Sequence, residues 1–152
     1  MTKFRTVKGT HDLLSNDLKV WHRVQSKIYQ IMQQYGYSEI RTPAFEKTEL
    51  FIHGIGVDTD IVNKEMYSWV DQGGNALTLK PELTAPVARA YIQHQLGNQN
   101  PLHRIYYFDT LFRRERPQKG RQRQFYQFGA EAIGSSNPEQ DAEIIAMAYH
   151  IY

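Results

Sequence analysis

YYFDTLFRRERPQKGRQRQFYQFGAE, residues 106–131, reads as two alternating strands joined by a basic loop, and that reading decides the fold. Side chains alternate between the two faces of a strand, so Leu111, Arg113 and Glu115 share one face of the first. Phe125, Gln127, Gly129 and Glu131 share one face of the second. Phe112, Tyr126 and Phe128 are then expected to point the other way, into a core. The shared face carries a cation, carboxylates, an aromatic ring, an amide and a bare glycine. That mixture suits neither open solvent nor an apolar core. It makes a sensible floor for a polar ligand.

The loop sharpens this. Arg113, Arg114, Arg116, Lys119, Arg121 and Arg123 stand against a single carboxylate, Glu115, although the whole chain has a formal net charge of only +2. A cationic loop on a nearly neutral body is the usual footprint of a phosphate-rich partner. The bland alternative is a solvated charge run; Pro117 and Gly120, set among the cations, argue instead for a shaped loop.

At 152 residues the chain fits one domain of ordinary size, able to bury roughly two-thirds of its unfolded surface. Its apolar and charged fractions, 41% and 22%, are those of a globular protein. No apolar run reaches membrane-spanning length, and the start, MTKFR, lacks the apolar core of a signal peptide. There are no cysteines, which excludes disulfides and thiolate metal sites. A cytoplasmic protein that binds no membrane is the default expectation. His11, His22, His53, His94, His103 and His150 are scattered without ligand spacing, so no protein-bound metal is expected.

Working outward, Leu18, Trp21, Val24, Ile28, Ile31, Met32 and Tyr35 fall on one helical face, with Ser15 or Asn16 as cap and Gly36 as stop. Ser38 to Arg41 reads as a short strand ended by Pro43. Glu46 to His53 reads as a second helix. Met66–Val70 and Ala76–Lys80 form a hairpin across QGGN, residues 72–75. Thr84 is the expected cap of a helix reaching about Gln95, and Asn137 followed by Pro138 starts another that runs to the end. The fold class implied is α+β, a mainly antiparallel sheet with flanking helices.

FRRERPQKGRQRQF (112–125), with Gln127 and Glu131, resembles motif 2 of the class II aminoacyl-tRNA synthetases, and specifically the histidyl-tRNA synthetases. KGTHDLL (8–14) is similar to that family's N-terminal signature. YGYSEIRTP (35–43) resembles motif 1, the dimer-forming element, and LTLKPELTAP (77–86) resembles the amino-acid-binding loop. The resemblance runs through nearly the whole chain. It implies a class II catalytic-core-like fold in which this chain is an N-terminal portion, since motif 3 and an anticodon-binding domain are not in it. The last ten residues are still strongly helical, which agrees with such an expectation.

The resemblance also implies roles. The reaction is attack of the histidine carboxylate on the α-phosphate of ATP, and Arg113 is the expected catalytic contact to that phosphate, a planar fork where lysine offers only a point charge. Glu115 orients the base of ATP, Phe125 stacks on the adenine, and Arg121 and Arg123 meet the outer phosphates. Histidine falls to Glu82, Thr84, Arg113, Gln127 and Glu131, with Glu131 placed for the imidazole and Gly129 leaving room for the ligand. Arg116 and Gln118, at the loop tip, face the tRNA acceptor end. Mg²⁺ enters with ATP, held by phosphate oxygens and water. Leu83 departs from the family, which often has glycine there, and is expected to narrow the loop. The partners implied are histidine, ATP, tRNA(His) and a second copy of the chain.

Two other readings compete. One is the synthetase-like regulatory subunit of ATP phosphoribosyltransferase, which predicts decay of the ATP- and tRNA-facing residues. The other is a plain RNA-binding or dimerising module, which predicts steep salt dependence and no response to ATP.

Overall fold

The computed structural model describes residues 4–56 and 58–152. Of the start read for a targeting signal, residues 1–3 lie outside them. The chain divides into two compact units, described in turn.

The first comprises Thr42–Ala90 and Asp109–Gln127 with the described part of Met1–Asp12. Strands β2 (Phe45–Lys47), β3 (Ser68–Val70) and β4 (Ala76–Leu79) form an antiparallel sheet in the order β2-β4-β3. The expected hairpin is present: Asp71 donates its N–H to the Asn75 carbonyl, and Gly74, at φ +81°, takes the left-handed turn position. The helix expected from Glu46 begins later, as α2 (Thr48–Ile55). Glu46 is instead a strand residue paired with Thr78, so cross-strand pairing overrides a weak local helix preference. Thr78 is fully buried at the centre, its hydroxyl 2.8 Å from both Thr48 and Ser68. Phe51, on α2, is also fully buried.

Helix α3 (Thr84–Gln93) starts where expected but stops short of Gln95, which has φ +50° and breaks the helical path. Thr84 is its first helical residue and not its cap. The first-turn N–H groups of Thr84 and Ala85 donate to the Glu82 carboxylate, at 2.7 and 3.1 Å. Leu83 is 2% exposed, its side chain buried in the core.

The second unit comprises Leu13–Arg41, Tyr91–Phe108 and Phe128–Tyr152. Helix α1 (Ser15–Gln34) has Leu14 at the cap position, and Asp17 reaches back to accept its N–H at 3.2 Å. Ser15 and Asn16 therefore lie inside the helix. At the far end Tyr37 donates to Met32 and Gly36 to Gln33, with Gly36 at φ +73°, the double bond pattern that satisfies a helix C-terminus. Ile28, Ile31 and Met32 join Tyr37, Tyr106 and Met147 in the core, while Val24 of the expected face is 41% exposed.

Strand β1 (Ser38–Glu39) pairs in parallel with β5 (His103–Phe112), and β6 (Gln124–Ile133) completes that sheet. Helix α4 (Pro138–Ile151) follows the Asn137 cap and packs on α1. The in-and-out assignment of the long strands needs correction. Ile105, Tyr106 and Tyr107 are consecutive and all buried, so both faces of β5 are covered and alternation no longer separates core from surface. Leu111, assigned to the ligand face, is fully buried, whereas Tyr126, assigned to the core, is 36% exposed. Phe128 does pack on the core, and Phe112 is half-buried.

Candidate active site

Beyond Phe112 the chain leaves the strand and turns back on itself. Gln118 and Arg121 exchange backbone hydrogen bonds at 3.1 and 2.9 Å, and Gly120 at φ +80° closes the tip. The cations that follow each other in sequence are thereby sent in different directions.

Arg113, Glu115, Arg121 and Phe125 line one pocket of about 340 Å³. Within it Arg113 is held at its near end: Nε donates to the Pro81 carbonyl at 2.9 Å, and the guanidinium carbon lies 5.3 Å from the centre of the Phe125 ring. That is cation–π distance. The terminal Nη groups take no protein acceptor among the described residues, so a planar fork is fixed in place with its binding edge available. Arg121 donates one long bond, 3.3 Å, to Glu115; the arginine side chain is 65% exposed and the glutamate 18%.

Arg123 differs from the expectation. It does not line this pocket. Its guanidinium donates to the carbonyls of Glu115 and Lys8, both at 3.3 Å, and its backbone N–H donates to the Gly9 carbonyl at 2.7 Å. Gly9 has φ +89°, and a Cβ there would come within 2.8 Å of Arg123 and 2.9 Å of Pro117. The glycine of the KGTHDLL segment thus lets the N-terminal chain lie against the hairpin. Arg116 and Gln118 are exposed on the loop.

The pocket's wall is tied to β4. Phe112 donates its N–H to the Lys80 carbonyl at 3.0 Å, which lays Lys80-Pro81 alongside the entry to the loop. Lys80 is 2% exposed, with Nζ 2.5 Å from Asp109 and 3.2 Å from the Thr42 carbonyl. The sequence reading missed this pair; a lysine at a strand end carries no local signal of burial. It also missed Arg89, whose guanidinium grips Glu46 at 2.6 Å. A buried ion pair of this kind holds position more than it adds stability.

Among the residues assigned to the amino acid, Glu82 spends its carboxylate on the start of α3, as described, while Thr84 and Gln127 are exposed. Glu131 belongs to the second unit, where it accepts a hydrogen bond from the Tyr107 hydroxyl at 3.2 Å. The space over Gly129, expected to be left for a ligand, is filled by the Tyr107 ring: a Cβ there would sit 2.5 Å from its hydroxyl oxygen. The glycine is needed for the tyrosine.

Also in the second unit, Arg104 binds Glu143 through Nε at 2.8 Å and Nη2 at 3.0 Å. Gln140 donates to the same carboxylate at 2.7 Å, and Tyr37 is within 3.5 Å. The hydrogen bond from Arg104 holds the Glu143 carboxyl below its ordinary range. Burial, with Glu143 beside it, pushes the Tyr37 phenol up to about 12.

Comparison with known proteins places the chain as a whole. The histidyl-tRNA synthetase family model matches residues 9–152. The chain is 54% identical to the histidine–tRNA ligase of Chloroherpeton thalassium over 99% of its own length and 35% of that protein's. It is likewise 54% identical to the ligase of Geobacillus thermodenitrificans, over 98% of the chain and 35% of the relative. The apo crystal structure of Staphylococcus aureus histidyl-tRNA synthetase superposes with a TM-score of 0.81 at 41% identity, covering 98% of this chain and 34% of that one. A Bacillus halodurans structure described as an ATP phosphoribosyltransferase regulatory subunit/histidyl-tRNA synthetase superposes with a TM-score of 0.82 at 27% identity, over 99% and 38%. The chain spans about a third of the length of these relatives.

Proposed function

The chain belongs to the histidyl-tRNA synthetase family, and from that premise we propose that it is the N-terminal part of a class II catalytic domain that activates histidine with ATP and passes it to tRNA(His). The observation that carries the reading is the joining of Arg113, Glu115, Arg121 and Phe125 around one pocket beside an open cationic loop. The higher identity to histidine–tRNA ligases favours this over the regulatory-subunit alternative, which is met only at 27%.

In this reading Arg113 takes the α-phosphate, where negative charge grows as the histidine carboxylate attacks. A guanidinium already fixed by Pro81 and Phe125 needs no reorganisation at that moment. Glu115 and Phe125 receive the adenine, and Arg121 swings from its long bond to Glu115 onto an outer phosphate. Arg123 serves as a brace, joining the loop to the N-terminal segment through the Lys8 and Glu115 carbonyls. Histidine is taken by Glu82, Thr84, Gln127 and Glu131, the last held by Tyr107 for the imidazole. Arg116 and Gln118 meet the tRNA acceptor end. Mg²⁺ arrives with ATP. Cytoplasmic location and a homodimer through the segment around α1 and β1 belong to the same proposal; Val20 and Val24, one turn apart on α1, are 64% and 41% exposed, apolar side chains that a second copy would cover.

The test is histidine-dependent pyrophosphate exchange, run on the 152-residue chain and on a chain of the relatives' length carrying the same residues. The long chain is expected to exchange and the short one to fall well below it. A long chain that binds ATP but shows no exchange with histidine sinks the proposal.

A further inference from the structure

Arg114 belongs to the cationic run, yet the pocket above does not use it. We infer that a second pocket, beside Arg114, holds an unpaired nucleotide of an RNA strand, with the base stacked on Trp69 and the phosphate on Arg114 and Lys64. This rests on the proposed tRNA partner and adds a contact site to it.

The pocket, of about 460 Å³, is lined by Asn63, Lys64, Tyr67, Trp69, Leu79 and Arg114 among others, with cations in its wall and no carboxylate. Trp69, on β3 at the edge of its sheet, is 40% exposed, and Phe45 packs edge-on against it at 5.8 Å. That contact braces a large ring that still faces outward. Arg114, exposed, has no carboxylate partner among the described residues: its backbone N–H donates to the Glu65 carbonyl at 2.6 Å, and Nη2 lies 3.4 Å from the Lys64 carbonyl. Lys64 pairs with Asp60 at 2.9 Å, but both side chains are 76% exposed, so that pair is weak and easily exchanged for a phosphate. Ile61–Glu65, which carries Lys64 and meets Arg114, is a single π-helical turn, a conformation found often at functional sites.

The chemistry selects the ligand. An exposed indole asks for a planar apolar partner and the two cations ask for an anion; a nucleotide joins both in one unit. Continuity selects an RNA strand over a free mononucleotide. Arg114 lies on the same loop as Arg116 and Gln118, assigned above to the acceptor end, so neighbouring residues of one strand can reach both.

The test uses the 152-residue chain with Trp21→Phe, which leaves Trp69 as the only tryptophan and keeps an aromatic ring against Phe108. The probe is the single-stranded ribonucleotide ACCA, with AMP and inorganic phosphate as controls. ACCA should quench Trp69, and AMP should bind about tenfold more weakly because it lacks the neighbouring phosphates. Arg114→Ala should weaken ACCA about tenfold and lower the slope of log affinity against log salt by about one, with Arg114→Lys recovering part of the loss. In competition with a labelled strand, Trp69→Phe should retain more affinity than Trp69→Ala. Absence of quenching, an Arg114→Ala variant that binds like the parent, or AMP binding as tightly as ACCA overturns the inference. ATP binding abolished by Arg113→Ala, with no ACCA signal at Trp69, sinks this site alone. An ACCA signal in a chain of the relatives' length that does not bind ATP sinks the functional reading and leaves the site standing.

Discussion

Arg104 grips Glu143 with two nitrogens, at 2.8 and 3.0 Å, while Arg121 reaches Glu115 with one, at 3.3 Å. In the first pair Gln140 and Tyr37 also donate to the carboxylate, both on the Oε1 atom that Arg104 Nε reaches, at 2.7 and 3.5 Å. The second stands at the edge of a pocket with its arginine 65% exposed. Identical side chains thus serve two ends. A carboxylate with several donors from strand and helix ties the elements of its unit together. An unsaturated pair keeps acceptor and donor capacity for a ligand, and it sits next to Arg113, whose fork is likewise held at one end and open at the other. The degree of saturation, more than the residue types, separates scaffold from site.

That contrast can be broken most sharply at Arg113. In a chain of the relatives' length, Arg113→Lys should depress adenylate formation about 10²–10³-fold, the usual loss when a positioned donor to transition-state charge is removed. ATP affinity should fall much less. A lysine variant with near-parental pyrophosphate exchange would reduce the arginine to a local charge.

Next in size is the scaffold pair. Glu143→Ala leaves Arg104, Gln140 and Tyr37 without their acceptor and should destabilise the fold by about 1–3 kcal/mol in urea unfolding. Glu115→Ala should cost less than about 1 kcal/mol, as expected for a pair with one exposed partner, while weakening ATP binding. Equal stability losses for the two variants would erase the distinction.

The two ends of the pH scale sharpen it further. The Glu143 carboxyl is depressed in the folded state, so its contribution is present above the ordinary carboxylate range and is lost as pH falls through the folded value. Tyr37 is raised to about 12, so its neutral form is favoured by folding. Its contribution is present below the ordinary tyrosine value and is lost as pH rises from there toward about 12. Glu143→Gln should flatten the acid limb of stability, and Tyr37→Phe the alkaline limb. Thermal unfolding across pH measures both.

The smallest effect expected is Arg121→Ala, within about 0.5 kcal/mol in stability. Its ATP affinity should nevertheless drop measurably, as calorimetry would show. A variant that loses stability but keeps ATP affinity would move Arg121 into the scaffold.

Much of this is legible in the order of the residues alone. The stop of α1 at Gly36, the 72–75 turn and the start of α4 after Asn137 are local events, set by left-handed glycine backbone and first-turn proline. The cationic loop and the pocket residues Arg113, Glu115, Arg121 and Phe125 were legible because they lie a few residues apart on one hairpin. Less legible was everything that depends on a distant partner. Glu46 became a strand residue because Thr78 pairs with it. Lys80 is buried because Asp109 meets it. Gly129 receives the Tyr107 ring and not a ligand.

Sequence by itself determined the family, the α+β class and the residue types of the candidate site, since spacing along the chain carries that information. Tertiary structure alone decided which cations are open and which are spent. Arg113 and Arg121 face a pocket, while Arg123 braces Lys8 and Arg114 lies over a π-turn. The physical reason is that a guanidinium's role depends on which of its donors already have acceptors. Those acceptors are backbone carbonyls of Lys8, Lys64 and Pro81, remote in sequence and carrying no side-chain signature.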